Sequence, residues 1–133
     1  MATQFAQDGG RRIGARSELA LRVTAAVAAM FAAAIHLALA VADLIPGEPT
    51  RGPVFGLMGL GYLLSAAAVL ARRPVADGLV LLYAVGLVLA YATSRGELSV
   101  EPIGLATKAA EIIVAAICAF LLWQSRDTST QAS

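Results

Sequence analysis

The sequence is poor in cysteine and histidine, and this scarcity excludes several classes of protein. Cys118 is the only cysteine among 133 residues, so the chain can form neither an intrachain disulfide nor a C-x-x-C redox pair. His36 is the only histidine, so no zinc cluster of the usual Cys/His type and no bis-histidine haem site can form within one chain. We therefore predict no metal and no cofactor. A haem- or quinone-associated role is the least favoured of the alternatives considered below.

Charged residues are also scarce, at 14% of the chain, whereas a soluble domain carries about 25%. The net charge of +1 provides no basic surface for nucleic acid, so we exclude nucleic acid as a partner. Hydrophobic residues make up 59% of the chain and its mean hydropathy is +0.75. A small domain is mostly surface that must stay wettable, so this composition favours a protein whose main partner is the lipid bilayer.

Four apolar runs, separated by prolines, glycines and charges, are each long enough to cross a membrane, which takes about 20 residues. They predict an all-α, integral membrane four-helix bundle with up-down-up-down topology. The predicted spans are about 20–44, 54–71, 75–94 and 102–124. Together they form a transmembrane domain over 19–124, between a flexible basic tail (1–18) and a polar tail (125–133).

The distribution of arginine predicts the orientation. Seven arginines lie in the N-terminal segment, the turn at 72–74 and the C-terminal tail, against two, Arg51 and Arg95, in the other two loops. Basic residues favour the cytoplasmic side, so we predict both termini in the cytoplasm and a location in the plasma (cell) membrane. The first run could instead be a cleaved secretory signal. Its length of ~20 residues, against about 7–15 for a signal core, favours a retained helix.

Each predicted helix carries a polar residue within the membrane, where such residues are costly and often functional. At 1.5 Å per residue, His36, Tyr62 and Glu111 lie ~12–13 Å below the outer surface, Lys108 lies ~9 Å below it, and Tyr83 lies slightly deeper. We predict that these five residues form a candidate intramembrane polar site. The competing interpretation is that His36 and Glu111 form a structural pair that fixes the helix register.

The individual members of this site have different simple explanations. Lys108 could extend towards the surface or pair with Glu111, which lies one turn further along the same helix. We expect Tyr62 and Tyr83 to be bulky packing residues whose hydroxyls are hydrogen-bonded. The remaining possibility for His36 and Glu111 is contact with a partner protein.

Small residues predict where helices approach one another closely. Ala25, Ala29 and Ala33 follow one stripe of the first helix, and Gly56 and Gly59 lie in the second. We predict that these five residues are helix-packing positions.

No set of residues indicates catalysis, so we predict no catalytic residues and lean against an enzyme. The favoured hypothesis is an accessory, assembly or structural subunit of a membrane complex. The main alternative is a small oligomeric transporter or proton- or ion-conducting unit that uses His36, Lys108 and Glu111. Either role leads us to expect a homo-oligomer or a larger membrane complex.

Overall fold

The computed structural model contains four α-helices and describes residues 13–42, 52–94 and 102–130. The helices are α1 (Ala15–Ala42), α2 (Gly52–Leu70), α3 (Pro74–Ser94) and α4 (Pro102–Thr130). All four are long and apolar enough to cross a membrane. Within the described residues, the prediction of an all-helical protein with four helices long and apolar enough to span a membrane is therefore confirmed. Pro74 and Pro102 occupy first helical positions, where the missing N–H of proline has no intrahelical partner to lose.

Two helices extend further than the apolar runs. α1 begins at Ala15, inside the segment predicted as a tail, and Glu18 in its first turn bonds to Arg22 one turn later at 2.8 Å. α4 continues to Thr130, beyond the predicted end of its span at 124. Hydrophobicity marks the part of a helix that suits lipid and not the point where its backbone hydrogen bonding stops. The outer parts of the predicted tails, and the last residues of the first predicted span, lie outside the described residues.

The packing of α1 depends on alanine. Ala25, Ala29 and Ala33 are fully buried, and α1 packs most extensively against α2 and also against α4. On the opposite side, Val27 and Phe31 are 63% and 49% exposed. In a membrane this bulky side faces lipid, and the small side lets neighbouring backbones approach α1.

Gly59 of α2 is required at this interface, whereas Gly56 is less constrained. A Cβ atom on Gly59 would lie 2.7 Å from Leu37 Cγ and 3.2 Å from the Ala33 carbonyl oxygen. A Cβ atom on Gly56 would meet only Ala40 Cβ, at an ordinary contact distance of 3.8 Å. The close approach of α1 and α2 is therefore centred on Gly59.

Candidate functional site

The Glu111 cluster consists of His36, Tyr62, Lys108 and Glu111, contributed by α1, α2 and α4. Glu111 is completely buried and its Oε2 atom accepts a hydrogen bond from Lys108 Nζ. The two residues are three positions apart on α4, so the helix itself brings their side chains together. Of the two options considered for Lys108, the structure shows the pair with Glu111.

His36 lies on the other side of the same carboxylate. Its Nε2 atom is 3.9 Å from Glu111 Oε1, and its Nδ1 atom is 2.8 Å from the carbonyl oxygen of Ala32. A carbonyl can only accept, so Nδ1 must carry a hydrogen and donate it. In the neutral ring the lone pair is then on Nε2, the nitrogen nearer to Glu111. The structure thus brings together the two residues that the sequence places at equal depth.

Tyr62 completes the cluster. It is fully buried and its ring lies 5.6 Å from the His36 ring, centroid to centroid. Among the described residues, neither its hydroxyl nor Glu111 Oε1 has a hydrogen-bond partner. Glu111 is the neighbouring acceptor for the Tyr62 hydroxyl, so the hydrogen bond expected for this hydroxyl stays a prediction. Buried polar atoms are nearly always bonded, so these two exceptions single out this cluster as the candidate functional site.

The surrounding tyrosines are anchored differently. Tyr83 of α3 packs edge-on against Tyr62, with ring centroids 5.1 Å apart, and its hydroxyl donates a hydrogen bond to the Met58 carbonyl at 2.8 Å. Tyr83 is thus the bonded packing residue that we expected. Lys108 Nζ lies 4.8 Å from the centroid of the Tyr91 ring, a distance at which a cation is attracted to the aromatic face.

A second buried polar group, which sequence reasoning missed, lies near the start of α1. This Arg22 cluster consists of Glu18, Arg22, Asp77 and the carbonyl of Val69. Arg22 Nη1 and Nη2 donate to the two carboxylate oxygens of Asp77 at 2.9 and 3.0 Å. Nη1 also donates to the Val69 carbonyl at 2.7 Å, and Nε donates to Glu18. Arg22 and Asp77 are only 5% and 2% exposed.

The Arg22 cluster fastens the α2–α3 turn to α1. Val69 lies in the last turn of α2, where carbonyls lack intrahelical partners, and Asp77 lies in the first turn of α3, where a carboxylate suits the helix dipole. Arg22 therefore satisfies one helix end and neutralises the acid at the next. Arg72, in the turn between them, has a positive φ of 56°. No helical spacing connects residues on α1 and α3, so the sequence alone does not pair Arg22 with Asp77.

The core between the two clusters is apolar. His36 follows Arg22 by fourteen positions on α1, which corresponds to ~21 Å along the helix axis. The buried apolar residues are Ala25, Ala26, Ala29, Ala32, Ala33, Ala66, Val69, Val80, Ala84, Val114, Cys118 and Leu121. Ser65 is the one buried hydroxyl described in this region, and it donates to the Gly61 carbonyl of its own helix.

Within the residues that the structure describes, no group of three or more His, Cys, Asp or Glu side chains could hold a metal ion. Cys118 is buried and lies within electrostatic range of Asp77 and Arg22. It behaves as a small core residue near the Arg22 cluster.

Four helices long and apolar enough to cross a membrane, packed around buried charged clusters, are compatible with a small multi-pass membrane protein. Comparison with known proteins places the chain in one family: residues 10–123 match the family of unknown function DUF7475, and the protein belongs to it. No curated protein and no solved structure matches the chain. The family therefore gives no activity, and the function must be argued from the site.

Proposed function

We propose that this protein takes up and releases a proton at Glu111, as a subunit of a homo-oligomer or a larger complex in the plasma membrane. The observation that supports this role most directly is the position of Glu111 Oε1. Within the part of the chain that the structure describes it has no hydrogen-bond partner, although it lies 3.9 Å from His36 Nε2 in a fully buried site. Intramembrane ionisable residues are costly, and proton transfer is one of the functions that retains them.

The proton passes between two defined atoms. His36 holds its Nδ1 hydrogen against the Ala32 carbonyl, so an added proton binds to Nε2. Transfer moves that proton from Nε2 to Glu111 Oε1, which leaves a neutral imidazole and a neutral acid. The distance of 3.9 Å exceeds a direct hydrogen bond, so transfer requires a small side-chain shift or one bridging water molecule.

Lys108 couples this transfer to a movement of charge. It is bonded to Glu111 Oε2 while the acid is ionised, and its side chain is 13% exposed. Protonation of Glu111 removes the negative charge that holds Lys108. The ammonium group is then free to turn towards the end of α4, and the Tyr91 ring lies beside it.

Orientation in the membrane is part of this proposal. Arg22 is buried between its ion-pair partners inside the bundle, so we leave it out of the count of arginines that predicts the orientation. Six arginines against two still favour cytoplasmic termini. The Glu111 cluster then lies in the outer half of the membrane.

Infrared difference spectroscopy of the full-length protein in lipid vesicles tests the proposal. We expect a carboxylic acid band that appears and disappears with pH, that is lost in Glu111→Gln, and whose midpoint shifts in His36→Phe. Glu97→Gln is the matched control, because it removes a carboxyl from the sequence between α3 and α4 and should leave the band in place. A wild-type spectrum without a pH-dependent band that Glu111→Gln removes would contradict the proposal.

An accessory or assembly subunit without chemistry of its own is the second candidate. One face of α3 supports it: Leu79, Leu82 and Leu89 are 64%, 70% and 59% exposed, which leaves a continuous apolar surface for lipid or for a neighbouring protein. Co-purification in mild detergent separates the candidates. A stoichiometric partner protein, together with a silent Glu111→Gln variant, would favour the accessory role.

A further inference from the structure

We infer that Glu111 exchanges its proton with one side of the membrane only, through the Lys108 end of the bundle, so that the chain binds protons but does not conduct them. The Lys108 end is the one at which α4 begins, and the Arg22 end is the one at which α1 begins. This inference rests on the proposed function and adds the route to it.

Among the described residues, the titratable groups around Glu111 lie beside it or towards the Lys108 end, except Tyr83, which lies slightly deeper and whose hydroxyl is committed to the Met58 carbonyl. They are His36 from α1, Tyr62 from α2, Tyr83 and Tyr91 from α3, and Lys108 from α4 itself. Lys108 lies one turn closer to the start of α4 and is partly exposed. A proton, or the positive charge of the lysine side chain, can therefore reach the surface at that end.

No comparable route leads from Glu111 towards the Arg22 end through the described core. The next inward residues along α4 are Val114 and Cys118, both fully buried. Across from them, α1 presents alanines from Ala33 back to Ala25, a distance of ~12 Å along the axis. A proton moves along chains of hydrogen-bonding groups. In this region the described residues offer only the weakly hydrogen-bonding thiol of Cys118 and Ser65, whose hydroxyl is committed to Gly61.

The Arg22 cluster closes the far end. The donors of Arg22 are directed at Asp77, Glu18 and the Val69 carbonyl, and the two oxygens of Asp77 are both bonded to Arg22. Such a saturated ion pair is held in place by several charge-assisted hydrogen bonds. Neither of the two described acids of this cluster, Glu18 and Asp77, is left unpaired to accept a proton arriving from the core.

Two measurements on the full-length protein test the route. The first uses vesicles that contain a trapped pH-sensitive dye and carry an imposed pH gradient with the membrane potential clamped. We expect wild-type vesicles to lose the gradient no faster than Glu111→Gln vesicles. A faster loss in the wild type that Glu111→Gln abolishes would overturn the one-sided route while leaving proton transfer at Glu111 intact.

The second measurement follows the infrared band of Glu111 in vesicles of known orientation, established by protease removal of a tag placed after Ser133. We expect the band to respond promptly to a jump in the external pH when the Lys108 end faces the outside of the vesicle. In the opposite orientation we expect the band to respond only at the rate of vesicle leakage. Ser65→Ala, the matched control, should not change either rate. Equal prompt responses in the two orientations, or a prompt response from the Arg22 end alone, would overturn the inference. A band that responds in neither orientation would overturn both the inference and the proposed function.

Discussion

Removing the carboxylate of Asp77 should destabilise the protein severely, because it leaves Arg22 buried without its counter-ion. Asp77→Ala eliminates two hydrogen bonds to a charged group, observed at 2.9 and 3.0 Å. Such bonds contribute about 1.5–3 kcal/mol each, and breaking a buried ion pair by removing one partner costs about 3–5 kcal/mol. We therefore expect the free energy of unfolding to fall by about 3–5 kcal/mol, with Glu18 and the Val69 carbonyl retaining part of the arginine's bonding.

The assay is reversible unfolding in mixed detergent micelles, followed by circular dichroism and by the fluorescence of Trp123, the only tryptophan. The double variant Arg22→Met/Asp77→Ala removes both charges and should lose less stability than the two single losses combined. Arg16→Met is the control, since Arg16 is an exposed arginine on the same helix and should change stability by about 0.5 kcal/mol at most. The reasoning would be refuted if Asp77→Ala behaved like Arg16→Met, or if the effects of the two single substitutions were simply additive.

Two further predictions concern packing and topology. Ala29→Leu should lower stability by about 1–3 kcal/mol through overpacking of the buried face of α1, whereas Ala34→Leu on the exposed face should be nearly silent in the same unfolding assay; equal effects would show that the faces are misassigned. In a cysteine-free background, a cysteine at Thr50 should be labelled by an impermeant reagent added to intact cells and a cysteine at Thr130 should not. Labelling at Thr130 would reverse the proposed orientation.

The sequence was most informative where an interaction is local. The apolar runs predict all four helices, and the spacing of Lys108 and Glu111 places both on one face of α4. The alanine stripe likewise separates the buried side of α1 from its exposed side, because 3.6 residues per turn determine which residues share a face. Helix ends were less predictable. α4 continues to Thr130, beyond its apolar run, because the backbone hydrogen bonds of a helix do not require hydrophobic side chains.

Contacts between helices were harder to predict, because the rotation and offset of one helix against another are set by the packing of the whole bundle. Arg22 belongs to the N-terminal arginines that predict the topology, and nothing in that interpretation requires a partner on α3 such as Asp77. The surroundings of the Tyr62 hydroxyl were hard to predict for the same reason. They depend on the position of α2 relative to α1 and α4, which the sequence of one helix does not specify.

The separation of Arg22 and Asp77 along the chain has a consequence for biogenesis. The two residues are 55 positions apart, so α1 emerges from the ribosome well before the acid that neutralises its arginine has been synthesised. Until then Glu18, one turn earlier on α1, is the only described acid that pairs with Arg22. Because a charged arginine is costly in the hydrocarbon layer, we expect the start of α1 to stay at the membrane interface until α3 arrives, so that the third helix sets the final depth of the first.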